Sequence, residues 1–161
     1  MVVLASEIGT PMTINSVRWH KNPLTSTDAE DEGFSIYMGL CSSDQLSTSS
    51  YDGNYISGTK TLVYSNNHLV VDMADEWAEI TLDDSYWYNG TDNLIIEIQW
   101  ENASHSNSYF VHEWLAGDNR CIFTQLTPDT NSYEYLPHMI FVGAASLENS
   151  TFAGIKVEVG Q

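Results

Sequence analysis

The chain has 161 residues, a length that suits one domain, and its formal net charge is -17 because five Lys and Arg stand against 22 Asp and Glu. Such a negative field repels phosphate backbones and anionic headgroups, which argues against nucleic acid as a partner. A content of 42% hydrophobic and 12% aromatic residues excludes a disordered acidic tail. No apolar run is long enough to cross a bilayer, so the sequence predicts no membrane insertion.

Short segments that alternate between apolar and polar residues recur along the chain and predict β-strands. In chain order they cover residues 12–19, 34–40, 61–64, 68–73, 77–82, 94–100, 108–114, 120–126, 138–142 and 154–159. A change of apolar phase near Ser16 indicates a β-bulge. In the clearest segment, alternation predicts that Ile96, Ile98 and Trp100 face the core, and Trp77 is assigned to the core as well.

Turn residues separate these segments, among them Asn66-Asn67, Asp83-Asp84 and Asn89-Gly90, and no segment keeps a helical apolar stripe. About ten strands without helices predict an all-β fold, a two-sheet antiparallel β-sandwich that is jelly-roll-like. We expect residues 1–143 to form the sandwich domain. Residues 144–161 should form a polar linker and a C-terminal strand, which either closes the sandwich or is donated to a neighbour.

The two cysteines, Cys41 and Cys121, belong to no metal-binding spacing, and they could close one long-range disulfide or stay as buried free thiols. Two predicted loops are long, residues 24–33 and 42–58, and long loops in compact domains are usually functional or mobile. Calcium is the one cofactor that we consider, because it prefers carboxylate oxygens. Its candidate ligands lie in the first long loop and in a predicted turn: Asp28, Glu30, Asp31, Glu32, Asp83 and Asp84. The alternative is a solvated run of charges that holds no metal.

The sequence contains no Gly-x-Ser-x-Gly elbow, no His-Glu-x-x-His and no phosphate-binding glycine loop, so we predict no catalytic residues and no enzyme. Aromatic side chains are more informative, because sugar rings stack on exposed flat rings. We predict an aromatic platform for ligand binding at Trp87, Tyr133 and Tyr135, all assigned to loops. Tyr51 and Tyr55, in the second long loop, are weaker candidates. Alternatively, these aromatic residues cap the ends of the sandwich.

Several short runs of the sequence resemble a known family of modules. They are residues 4–9, 14–17, 36–39, 62–65, 77–82 and, most specifically, the run Tyr88-Asn89-Gly90-Thr91-Asp92-Asn93-Leu94. These runs are similar to the non-catalytic β-sandwich modules of large bacterial surface and secreted proteins, which accompany gingipain-like proteases and type IX secretion adhesins. The resemblance covers residues 4–142 and implies export, with a role in adhesion or carbohydrate binding.

Two functional hypotheses remain open. The first is a non-catalytic binding module, extracellular or on a bacterial cell surface, whose partner is a glycan or another cell-surface polymer, with calcium ordering its loops. The second is a self-assembling structural subunit of an extracellular filament, sheath or surface layer, in which copies of the chain join by β-strand addition. The motive for the second is the strand at residues 152–159, which follows a polar linker.

Overall fold

The chain folds as an all-β sandwich, so the predicted fold class is confirmed. The structure is a computed structural model that describes residues 1–21, 29–47, 50–71, 76–103, 113–117, 119–124, 130–133, 135–144, 150–152 and 155–159. In chain order its strands are β1 (Val2–Val3), β2 (Met12–His20), β3 (Ala29–Cys41), β4 (Thr61–Val71), β5 (Trp77–Tyr88), β6 (Asn93–Gln99), β7 (Asn102–Ala103), β8 (Glu113–Leu115), β9 (Cys121–Thr124), β10 (Thr130–Tyr133), β11 (Tyr135–Pro137), β12 (Met139–Ala144), β13 (Ser150–Phe152) and β14 (Ile155–Val159). A helical turn, α1 (Ala5–Ile8), and a 3₁₀ turn (Asp52–Asn54) complete the described elements.

The strands form two large sheets and two small pairs. Sheet 1 has the order β1-β6-β3-β4, and β7 also pairs with β3. Sheet 2 has the order β13-β14-β12-β2-β5. All neighbours in the two sheets are antiparallel except β12 and β14, which run parallel. The two small pairs are β8 with β11 and β9 with β10.

The inner faces of the two sheets share one hydrophobic core. Its buried residues include Ile14, Val17, Ile36, Met38, Ile80, Tyr88, Leu94, Ile96 and Phe141. Burying each aliphatic side chain of this size stabilises the fold by about 1.5–3 kcal/mol. Ile96 and Ile98 face this core as alternation predicts, with Ile98 at its margin. Trp100 does not, since it is 43% exposed. The core prediction for Trp100 is wrong because β6 ends at Gln99, beyond which alternation no longer sets the direction of a side chain.

Three predicted turns or loops are instead parts of strands. Asn66-Asn67 lies within β4, Asp83-Asp84 lies within β5, and the second half of the acidic loop, from Ala29, begins β3. In β4 and β5 polar residues are tolerated because these two strands stand at the ends of their sheets in the strand order. The Asp83 carboxylate accepts a hydrogen bond from the Ser65 nitrogen at 2.9 Å, which links the two sheets at this side.

Two local predictions are confirmed. The register of β2 with β5 shifts between Ile14 and Ser16, where the change of apolar phase indicates a bulge. The turn that carries the chain from β5 to β6 has Gly90 at a φ of 75°, which favours glycine. A Cβ atom there would also lie 2.5 Å from the Pro11 nitrogen. The Asn89 side chain accepts hydrogen bonds from the Thr91 nitrogen at 2.9 Å and the Asp92 nitrogen at 3.1 Å, which closes the turn.

The last described strand pairs within the same chain. β14 lies between β12 and β13, with Met139 opposite Ile155. Donation of this strand to another copy stays a prediction. Within the described parts of the chain, no helix has the length and apolar character needed to cross a membrane.

Candidate functional site

A cleft of about 340 Å³ lies on the outer face of sheet 1. Because Ile96 of β6 points into the core, its neighbours Ile95 and Glu97 lie on the opposite face of the strand, and both line the cleft. The β3–β4 loop, which covers residues 42–60 and contains the second long loop of the sequence prediction, supplies further lining residues, among them Asp52 and Lys60. The cleft therefore forms where a loop folds back over the outer surface of a sheet.

A second, smaller hydrophobic cluster supports the cleft. Its buried members are Val2, Cys41, Leu46 and Ile95, and Tyr55 and Ile122 pack at its margin. These side chains come from β1, β3, the long loop, β6 and β9. The cluster therefore fixes the loop on the outer face of sheet 1 and gives the cleft an apolar base.

Hydrogen bonds hold the described part of the loop in one conformation. The Asn54 side chain accepts a hydrogen bond from the Ser47 nitrogen at 2.6 Å and donates to the carbonyl oxygens of Ser47 and Ser50, both at 3.0 Å. The loop is also tied to β3, because the Ile56 nitrogen donates to the Leu40 carbonyl oxygen at 2.8 Å. A wall ordered in this way loses little conformational entropy when a ligand binds.

The centre of the cleft holds a charged network around Lys60. Its ammonium lies 2.8 Å from Asp52 Oδ1 and 3.0 Å from Glu97 Oε2. It also lies 4.9 Å from the centre of the Tyr37 ring and 5.1 Å from the centre of the Tyr55 ring, which is cation–π distance. Burial alone would lower the pKa of Lys60, but the hydrogen bonds to Asp52 and Glu97 outweigh it and raise that pKa.

Tyr55 connects the loop to this network. Its hydroxyl donates to Glu97 Oε2 at 2.8 Å. Burial raises the pKa of the Tyr55 phenol well above its ordinary value, and the hydrogen bond to Glu97 raises it further. A glycine in β3 makes room for the ring, since a Cβ atom at Gly39 would lie 2.5 Å from Tyr55 Cδ1. Gly39 therefore allows Tyr55 to lie close against the sheet.

Two partly exposed aromatic side chains line the same cleft. Tyr51 precedes the 3₁₀ turn and is 38% exposed, and Trp100 follows β6 and is 43% exposed. The exposed side chains of Asp52 and Gln99 line it as well. The cleft thus combines flat apolar rings with hydrogen-bonding groups above an apolar base, which is the composition of small-molecule binding sites.

The three residues of the predicted aromatic platform lie on three different strands, and the platform itself stays a prediction. Trp87 is 62% exposed, as alternation indicates, but it lies in β5 of sheet 2, opposite Thr13, and not in a loop. Tyr133 lies in β10 and Tyr135 in β11, so their assignment to loops is also wrong. β10 pairs with β9 and β11 pairs with β8, so neither strand belongs to sheet 2. The side chains of both tyrosines fall outside the described part of the structure.

The predicted calcium ligands lie mostly in strands. Glu30, Asp31 and Glu32 are consecutive in β3, so Asp31 points to the opposite face from its two neighbours. Asp83 and Asp84 lie in β5, and Asp28 is outside the described residues. No group of three or more His, Cys, Asp or Glu side chains within the described ranges is placed to hold a metal ion. Calcium binding stays a prediction.

Both cysteines are free thiols in the structure. Cys41 is buried in the small cluster, where its thiol donates to the Ser43 carbonyl oxygen at 3.2 Å. Cys121 is partly buried at the start of β9, opposite Tyr133.

The sequence alone does not single out the residues of this cleft. It offers Tyr51 and Tyr55 only as weaker candidates, assigns Trp100 to the core, and makes no prediction for Lys60 or Asp52. One signal was present: Lys60 is among only five Lys and Arg in a chain with 22 acidic residues, and it lies near acidic and aromatic residues of the same loop. Comparisons with known proteins return no match, whether to family models, to curated proteins or to solved structures.

Proposed function

We propose that the protein is a non-catalytic binding module that holds a carbohydrate chain in the cleft on the outer face of sheet 1. The observation that carries this proposal is the placement of Tyr51 and Trp100, both partly exposed, on one cleft with hydrogen-bonding side chains. An aromatic ring that stays in contact with water offers a stacking surface for the apolar face of a sugar. The amide of Gln99 and the carboxylate of Asp52 can bond its hydroxyl groups.

The size and order of the cleft support the same proposal. Its volume of about 340 Å³ is near the lower limit of pockets that hold small ligands, which run from roughly 300 to 1,000 Å³. One or a few sugar units, not a large folded partner, suit such a space. The hydrogen bonds of Asn54 fix part of the loop before any ligand arrives, which lowers the entropy cost of binding.

The charged network supports binding without hydrolysis. A glycosidase needs one carboxyl group that keeps its proton as a general acid and a second that stays ionised. In this cleft the Lys60 ammonium contacts both Asp52 and Glu97, and Glu97 also accepts a hydrogen bond from the Tyr55 hydroxyl at 2.8 Å. Both side chains then act as hydrogen-bond acceptors and as anchors for Lys60.

We place this function outside the cell, on a bacterial surface or in a secreted protein. The support is the surface chemistry of the sequence, which has few Lys and Arg, is rich in Ser, Thr and Asn, and resembles secreted modules in the run from Tyr88 to Leu94.

The test compares aromatic residues in the two sheets. Trp100→Ala and Tyr51→Ala should each weaken binding to the best ligand of a glycan array about tenfold, because each removes a stacking surface from the cleft. Trp87→Ala is the matched control, since it removes an even more exposed aromatic side chain from sheet 2. The affinity of the Trp87→Ala variant for the same glycan should equal that of the wild type within about a factor of two. Dissociation constants from calorimetry, with unfolding curves to confirm the fold of each variant, give the measurement.

Unchanged affinity in both cleft variants would exclude the cleft as the binding site. A loss confined to Trp87→Ala would move the site to sheet 2, and a wild-type protein that binds no glycan would refute the proposed function.

A further inference from the structure

We infer that the cleft selects neutral glycans and rejects anionic ones, those that carry uronate carboxylates or sulfate groups. This inference rests on the proposed function, because it concerns the class of sugar that the same cleft accepts. Its basis is the set of hydrogen-bond partners that the cationic group of the cleft, the Lys60 ammonium, already has.

Lys60 is the one cationic side chain among the described residues that line the cleft. A ligand carboxylate or sulfate is usually held by an Arg or Lys side chain that has donors to spare. Met1 also lines the cleft, but its amino group donates to the Ile96 carbonyl oxygen at 2.8 Å, and burial lowers the pKa of that group, which disfavours its cationic form. Recognition of an anionic sugar would therefore fall to Lys60.

The donors of Lys60 are already in use. An ammonium group has three hydrogen atoms to donate, and Lys60 Nζ lies 2.8 Å from Asp52 Oδ1, 3.0 Å from Glu97 Oε2 and 3.1 Å from Glu97 Oε1. The rings of Tyr37 and Tyr55 lie at cation–π distance from the same ammonium group. An anionic ligand would have to displace one of these carboxylates and then remain beside it. The ligand anion and the displaced carboxylate would then lie side by side and repel each other. This repulsion is stronger in a partly enclosed site than in water.

The charge of the whole molecule acts in the same direction. Within the cleft, Asp52 and Glu97 outnumber the single Lys60 ammonium, and the chain as a whole has a formal charge of -17. This wider field slows the approach of a polyanion at low salt and is screened at high salt, whereas the contact at Lys60 is screened much less. Salt therefore separates the general repulsion from the selectivity of the cleft.

The experiment uses pairs of soluble polysaccharides that share a backbone and differ in charge: hydroxyethyl and carboxymethyl cellulose, dextran and dextran sulfate, and methyl-esterified and de-esterified pectin. Binding isotherms are measured for the wild type, Asp52→Ala and Asp84→Ala at low and high salt. Asp84→Ala is the matched control, because it removes the same charge from an exposed position in sheet 2. Asp52 is suited to substitution because its side chain is 82% exposed.

The wild type should bind the neutral member of a pair about tenfold more tightly than the anionic member, with a preference that persists at high salt. Asp52→Ala releases one donor of Lys60 and should narrow that ratio about threefold or more, while Asp84→Ala should leave it unchanged at high salt. Equal affinity of the wild type for both members would overturn the inference and leave the proposed function standing. Equal ratios in the two variants would overturn the role of Lys60, and binding to neither member of any pair would refute the proposed function itself.

Discussion

The surroundings of Trp87 and Trp100 differ, although both side chains are exposed. Trp87 stands on an extended strand of sheet 2 opposite Thr13 and is 62% exposed. Trp100 is less exposed, at 43%, but it shares a cleft with Tyr51, a charged network and an apolar base. The exposed fraction of the ring alone therefore does not separate the two surroundings. What separates them is the convergence of aromatic and polar groups under a second layer of chain, which is typical of ligand pockets.

The two regions also use their ion pairs differently. On sheet 2, Arg18 Nε lies 2.7 Å from Glu79 Oε2, and both side chains are about one-third exposed, at 30% and 39%. In the cleft, Lys60 and Glu97 are more enclosed, at 28% and 21%, and their pair contacts aromatic rings and a second carboxylate. An open pair adds little to stability, whereas an enclosed network fixes the shape of its surroundings.

The largest expected effect comes from Gly143 in sheet 2, and Gly39 in sheet 1 provides the comparison. A Cβ atom at Gly143 of β12 would lie 1.8 Å from the backbone oxygen of Thr13, so Gly143→Ala must separate two paired strands of sheet 2. We expect it to lower the free energy of unfolding by about 4 kcal/mol or more, or to prevent folding. At Gly39 the obstacle is the ring of Tyr55, a side chain that can move. Gly39→Ala should therefore cost about 1 kcal/mol and weaken glycan binding.

Urea unfolding monitored by tryptophan fluorescence measures the first effect, and calorimetric titration with the glycan measures the second. Our expectation is that Gly143 matters mainly for strand pairing in sheet 2 and Gly39 mainly for the position of Tyr55 in the cleft. A Gly39→Ala variant that loses more stability than Gly143→Ala would contradict it.

The next effect contrasts the buried ion pair of Arg120 and Glu7 with the more exposed pair of Arg18 and Glu79. Arg120 is 3% exposed, donates to both carboxylate oxygens of Glu7, and donates to the Val2 carbonyl oxygen at 3.2 and 3.3 Å. Arg120→Met removes these donors from the Val2 carbonyl oxygen and from the Glu7 carboxylate, which keeps only its hydrogen bond from the Leu4 nitrogen among those described. It should lower the free energy of unfolding by about 3 kcal/mol. Arg18→Met, its matched control on sheet 2, should cost less than about 1 kcal/mol.

The measurement is the difference in unfolding free energy between each variant and the wild type in urea. Similar losses for the two variants would mean that burial does not distinguish these pairs.

The smallest effect is a dependence on pH at the open pair. A hydrogen bond from the Ser16 hydroxyl lowers the pKa of Glu79 below its ordinary value of 4.5; partial burial opposes this shift, and Arg18 adds to it. Because the folded state has the lower pKa, the stability that Glu79 contributes is present above pH 4.5 and is lost as the pH falls through the folded pKa. Glu79→Gln should therefore be slightly less stable than the wild type near neutral pH, and this difference should vanish in acid.

Unfolding free energies measured at a series of pH values between about 7 and 3 test this expectation. Asp84→Asn serves as the control for a change of charge in the same strand. A difference between wild type and Glu79→Gln that grows as the pH falls would have the wrong sign.

Some features of the fold could be predicted from short stretches of sequence because their causes are local. Alternation in β6 places Ile96 in the core, since successive side chains of a strand point to opposite faces. The turn at Asn89-Gly90 follows from the tolerance of glycine for positive φ. The same reasoning failed at Asp83-Asp84, because an edge strand can place polar residues where an inner strand cannot, and at Trp100, where the strand had already ended.

The sequence by itself determined that this chain is a β-sandwich, and it determined which residues of β3 and β6 meet in the core. Only the tertiary structure decided where the cleft lies. The residues of the cleft come from Met1, from the β3–β4 loop, from β6 and the residue after it, and from β9. They meet because the loop folds onto the outer face of sheet 1 and is held there by Leu46, Tyr55 and Ile122. Strand periodicity assigns residues to faces, but it carries no information about which distant segment will cover a face.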